Sequence, residues 1–173
     1  MKKIISVLLV FIIAFSFVGC TKPPVEVQEE SVQEAVIQYG RLGDTLEVNG
    51  LKITFLDSWE YQNDYYNAPG HVFITLEFEI VNNNNTDVNI SAQYHFAAYV
   101  DNFTITSNST AIEFASLNGL DVLEGTVASG RGIRGTIIYE IPEDWDVFEV
   151  EFTPYVDGDT VIFISYYSSY SPV

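Results

Sequence analysis

The run "HVFITLEFEIV" at residues 71–81 leaves this chain few choices of fold. Val72, Ile74, Leu76, Phe78 and Ile80 recur at every second position, with Thr75, Glu77 and Glu79 between them. Only an extended strand sends alternate side chains to opposite faces, so the first set faces a core and the second faces water. A face of that kind has to be covered by another layer.

The same texture continues from Gly43 onward in short alternating runs cut by turn residues. "DTLEV" and "LKITFLDSW" flank Asn49-Gly50, a dipeptide that favours a two-residue hairpin turn. "NNNNTD" turns the chain into "VNIS" and then "YHFAAYV". "GTIIYEI" runs to Pro142, which has no N–H for a ladder and marks a strand end. "VFEVEF" presents Phe148, Val150 and Phe152 to one side, and "TVIFIS" follows an Asp157-Gly158 turn. Beyond residue 40 no segment shows sustained helical spacing, and strands with turns every ten or so residues predict a two-sheet, all-β sandwich. The tail "YYSSYSPV", residues 166–173, extends a last strand or frays.

Three stretches carry a family likeness: "LGDTLEVNGLKITF", "VFITLEFEIVNNNNTDVNIS" and "GTVASGRGIRGTIIYEIPEDWDVFEVEFTP". They resemble the telokin-like, immunoglobulin-like lipoprotein domains of bacteria, domain of unknown function 4352. The matching positions are Gly43-Asp44, Asn82, Gly130 with Gly135, and Pro142; Ser129 stands where the family usually has proline. The resemblance spans residues 41–165. It implies an immunoglobulin-like β-sandwich on a secreted or membrane-anchored Gram-positive protein, without a catalytic set to carry over. The Cys-Trp-Cys core of antibody domains is missing, so Trp59 and Trp145 pack without a disulfide.

The N-terminus fits that implication. Lys2-Lys3 precede an apolar run from Ile4 to Val18, and Gly19-Cys20 follows; Cys20 is the single cysteine. Basic start, apolar run and small residue describe a secretory signal peptide. As a helix the run covers about 22 Å, short of the roughly 30 Å hydrocarbon core. Small residue then cysteine resembles a lipobox, with Phe17 where leucine is usual. The chain therefore reads as signal peptide 1–19, lipidated Cys20 with an acidic linker to residue 40, domain 41–165 and tail 166–173. Two acyl chains on Cys20 would hold it stably at the outer face of the membrane. Within the linker, Ser31 and Glu34 make a capping box that allows one helical turn, while the Pro23-Pro24 pair and its acidity describe a tether.

Charge narrows the partners. Seven Lys and Arg face 24 Asp and Glu, for a net charge of −17, and cleavage before Cys20 removes two lysines and no acid. Nucleic acid and polybasic membrane contact both need clustered cations, which are missing. With Cys20 acylated, neither a disulfide nor a cysteine zinc site remains. No cofactor or metal is expected. The partners are the membrane, through the anchor, and a protein or cell-wall glycan, with the chain a monomer.

Candidate chemistry is sparse. His71 and His95 are the two imidazoles; His95 reads as a sheet residue, and neither has a nucleophile or ligands at useful spacing. "YVDGDT" lacks the ligand positions of a calcium loop and reads as a hairpin turn. Arg131 and Arg134 in "SGRGIRG" are expected to pair with nearby acids. The loop "EYQNDYYNAPG" offers Tyr61, Asp64, Tyr65 and Tyr66 for ligand contact, since tyrosine supplies amphipathic area at low entropic cost. The same tyrosines alternatively cover one end of the sandwich. The expectation is a binding or scaffolding module; a glycan module would show a coplanar exposed tyrosine pair, a cation module three converging carboxylates, and a hydrolase a histidine in a cleft beside a serine and an acid.

Overall fold

Two sheets face each other across an aromatic core in the computed structural model, which describes residues 37–62, 65–106, 109–155 and 158–167. In chain order the strands are β1 (Gln38–Gly40), β2 (Thr45–Val48), β3 (Leu51–Tyr61), β4 (His71–Asn82), β5 (Val88–Ser91), β6 (Phe96–Val100) and β7 (Phe103–Ile105). One helix, α1 (Ser109–Leu117), separates them from β8 (Glu124–Val127), β9 (Gly132–Pro142), β10 (Val147–Phe152) and β11 (Val161–Tyr166). One sheet has the order β1-β11-β10-β6-β7 and the other β2-β3-β4-β9, while β5 and β8 form a separate ribbon. The chain is thus an all-β sandwich, as its patterning predicts. β1 pairs in parallel with β11, so the sheet already includes residues 38–40, before the expected domain start at 41.

Local chemistry sets the hairpins. Asn49 and Gly50 both take positive φ, 49° and 76°, the twist that matches a two-residue turn between β2 and β3. Asp101 and Asn102 repeat the device between β6 and β7. The Asp101 carboxylate also accepts from the Val147 N–H at 2.8 Å, tying that turn to β10.

The inner faces interdigitate as period two requires. Leu51, Ile53 and Phe55 of β3, the even-numbered apolar residues of β4, and Phe148, Val150 and Phe152 of β10 are all buried in one cluster. Phe55 stacks on Phe78 at 4.9 Å, and Phe96 lies 4.8 Å from Phe152. Trp145 is buried, and its indole N–H donates to Glu60 at 2.7 Å.

The family-pattern positions are structural locks. Asn82 is fully buried; its amide donates to the carbonyls of Thr86 and Val127, and its oxygen accepts from the Asn84 N–H. Ser129, in the place of a proline, uses the N–H that proline lacks to reach Asp87 at 3.2 Å. A Cβ on Gly135 would lie 2.8 Å from Leu123 Cα, so the 121–123 segment can cross β9 only at a glycine.

Three expectations are corrected. The region beyond residue 40 does contain a helix, α1. Thr75 does not face solvent: Phe73 and Thr75 on the outer face of β4 are buried, and only Glu77 and Glu79 follow the expected alternation. His95 sits in the turn before β6 rather than in a strand.

Candidate functional site

The helix that patterning missed builds a layer on the outer side of the four-stranded sheet. Ala111, Phe114 and Ala115 recur at helical spacing and bury against Phe73 of β4 and Ile138 of β9. Phe114 stacks on Phe73 at 4.6 Å. Gly119, at φ 66°, closes the helix: its N–H reaches the Ser116 carbonyl and the Leu120 N–H reaches that of Ala115. These are the paired bonds of a Schellman cap, and Leu120 packs back on the helix base. "SLNGL" is therefore the sequence signal that could have located α1.

A bulge supplies the second part. The register between β3 and β4 shifts between Phe55 and Asp57, so one residue, Leu56, is extra. Up to Phe55 the odd-numbered residues face the core; beyond it Trp59 pairs with Thr75 and Tyr61 with Phe73, on the outer face. Tyr61 consequently meets Phe114 edge-on at 5.2 Å.

The tyrosine loop splits between covering and exposure. Tyr66 is half-buried and also meets Phe114 edge-on, at 6.2 Å. Tyr65 is 85 % exposed and rests on Tyr66 with the rings 80° apart. Tyr61 and Tyr66 roof the helix rather than a sandwich end, and the Tyr65–Tyr66 pair is not coplanar. Asp64 lies outside the described residues, as does Cys20.

Between α1 and the edge of β9 lies an apolar groove of about 160 Å³. Its helix wall is Ile112 and Ala115, its floor Thr136 and Ile138, and Val122 and Glu124 stand at its rim. Ile112 is 52 % exposed there. No single stretch of sequence announces this groove, because its walls come from segments far apart in the chain.

His95, His71 and the Arg134–Glu77 pair each have defined hydrogen-bond partners. Nδ1 of His95 accepts the Ser91 N–H at 3.0 Å, and burial holds the imidazole below the ordinary histidine pKa. His71 Nδ1 lies 3.1 Å from the Pro69 carbonyl, in a hollow with Glu143 and Gln62 but no serine. Arg134 binds Glu77 in a fork at 2.7 and 3.0 Å, and this hydrogen-bonded guanidinium lowers the Glu77 pKa. Arg131 makes no such pair among the described residues. Among those residues no group of three His, Cys, Asp or Glu converges to hold a metal.

Comparison with known proteins adds family and fold. A family model described as "Domain of unknown function (DUF4352)" matches residues 40–161. No curated protein matches the chain. A Bacillus subtilis protein described as a candidate lipoprotein (ycdA) superposes with a TM-score of 0.56 at 12 % identity, over 70 % of this chain and 38 % of its own. The chain thus spans well under half the length of that structure. The yjhA protein of Bacillus subtilis gives 0.48 at 19 % identity, over 66 % and 80 % of the two chains. An uncharacterised β-sandwich protein of Clostridium difficile gives 0.46 at 14 %, over 76 % and 96 %.

Proposed function

The chain belongs to the DUF4352 family, and from that premise we propose that it is a non-catalytic binding or scaffolding module, held by a lipid on Cys20 at the outer face of the cell membrane. The N-terminal pattern supports the anchor, and a neighbour in fold described as a candidate lipoprotein agrees with it. The observation that carries the binding reading is the groove beside α1. Concave apolar surface with exposed aliphatic side chains is where proteins take partners. Ile112, 52 % exposed at the groove's helix wall, is apolar surface that a partner would remove from water.

The glycan reading through Tyr61, Tyr65 and Tyr66 has less support, because two of the three rings are packed on Phe114. The cation reading draws on excess carboxylates alone, and these are dispersed among the described residues.

The test uses the full chain in vesicles, incubated with envelope extract beside the Ile112→Glu variant. A component retained by the wild type and lost by Ile112→Glu is the expected result. Identical captures would contradict the reading, as would hydrolytic activity abolished by His71→Ala or His95→Ala.

A further inference from the structure

The groove has a hydrogen-bonding floor as well as apolar walls. β9 is an edge strand, paired with β4 on one side only. Toward the open side, Thr136 donates its N–H to the Asp121 carbonyl at 2.7 Å and accepts from the Leu123 N–H at 2.9 Å. The β4–β9 register is unbroken from His71–Pro142 to Val81–Gly132. Residues two apart in a strand direct their main-chain groups to the same side, so the N–H and C=O of Ile138 also point outward, into the groove. Neither is hydrogen-bonded to any group of the described residues.

Parts of that edge are closed. Residues 121–123 cover it at Thr136, through a parallel bridge from Val122. Pro142, at the far end and in the same phase, has no N–H to offer. Proteins blunt exposed edges in these ways because a free edge recruits other strands. The gap at Ile138 is left open between Ile112 on the helix and Glu124 on the rim.

Building on the binding reading above, we propose that the β9 edge at Ile138 takes an extended peptide segment of a partner protein by strand addition, with aliphatic side chains in the groove and basic residues flanking them. An unmatched N–H and C=O pair on one strand residue is the pattern that an extended backbone meets with its own C=O and N–H. The apolar walls specify aliphatic side chains. Glu124 at the rim, Glu113 on the exposed side of α1 and the net charge of −17 specify basic flanks, and no Lys or Arg lines the groove.

The probe is a blocked hexapeptide of alternating lysine and valine, added to the full chain. It should slow hydrogen exchange of the Ile138 amide and bind at least about tenfold more tightly than the glutamate–valine hexapeptide. N-methylation at alternate residues blocks one edge of an extended peptide. One phase of methylation should weaken binding about tenfold and the other should not. Ile112→Glu, on the exposed helix face, should lose affinity by a similar factor without unfolding. Unchanged exchange at Ile138, or equal affinity of both methylated phases, would overturn strand addition. So would a concentration-dependent dimer that itself protects Ile138, which would make a second copy the occupant. An envelope component lost by Ile112→Glu, with Ile138 exchange unmoved by the peptide, would leave the binding module standing and remove only the strand-addition mode.

Discussion

Tyr139 carries a hydroxyl into the core that no group of the described residues receives. The residue is 2 % exposed, and burial drives its pKa well above that of an ordinary tyrosine. A buried unpaired hydroxyl costs about 1–3 kcal/mol. Tyr139→Phe, which keeps the ring against Phe148, should therefore stabilise the domain by about 1 kcal/mol, seen as a higher melting temperature. A lower melting temperature would mean that the hydroxyl is satisfied. His95 gives the pH dependence. Its folded pKa lies below its unfolded value, and protonation removes the acceptor that holds the Ser91 N–H. Its contribution is complete above about pH 6.5 and is lost as pH falls through the folded value. The melting temperature should drop between about pH 7.5 and pH 5, and the drop should be smaller in His95→Asn, whose oxygen can accept the same bond.

The elements differ in how they can be read. Inner faces such as Leu51, Ile53 and Phe55 were legible because period two is local and binary. The Asn49-Gly50 turn was legible because its φ values exclude most residues. α1 was not: it has nine residues, and its inward side is two alanines and one phenylalanine, too weak a stripe beside long strands. The bulge at Leu56 was not, because an extra residue is defined only against the partner strand. With both missed, sequence alone offers Tyr61 and Tyr66 only as ligand contacts or as cover for a sandwich end, whereas they pack on the helix. The groove depends on the same two elements and on the β9 edge, so it was hidden for the same reason. Gly135 tests the crossing that closes this edge. Gly135→Ala places a methyl against Leu123 main chain and should cost about 1–3 kcal/mol, with the Leu123 amide among the first to lose exchange protection. Unchanged stability would show that 121–123 does not press on β9.

At the scale of the whole molecule, the chain is an acidic sandwich built on one large apolar core. No disulfide contributes, because Cys20 is the single cysteine; cooperative unfolding should be indifferent to reductant, and a melting point that falls with reductant would contradict this. Cys20→Ser should leave the membrane fraction or remain unprocessed, and mass spectrometry of the wild type should show a diacylated N-terminus. A soluble wild type with a free thiol would remove the anchor. The central claim is that partners meet the molecule at the groove beside α1, and photo-crosslinking tests it most directly. A benzophenone side chain at position 112 of the anchored full chain, irradiated in intact envelopes, should give a discrete adduct that the lysine–valine hexapeptide competes away, while the same group at position 155 gives none. Equal adducts from both positions, or none from 112, would contradict the account.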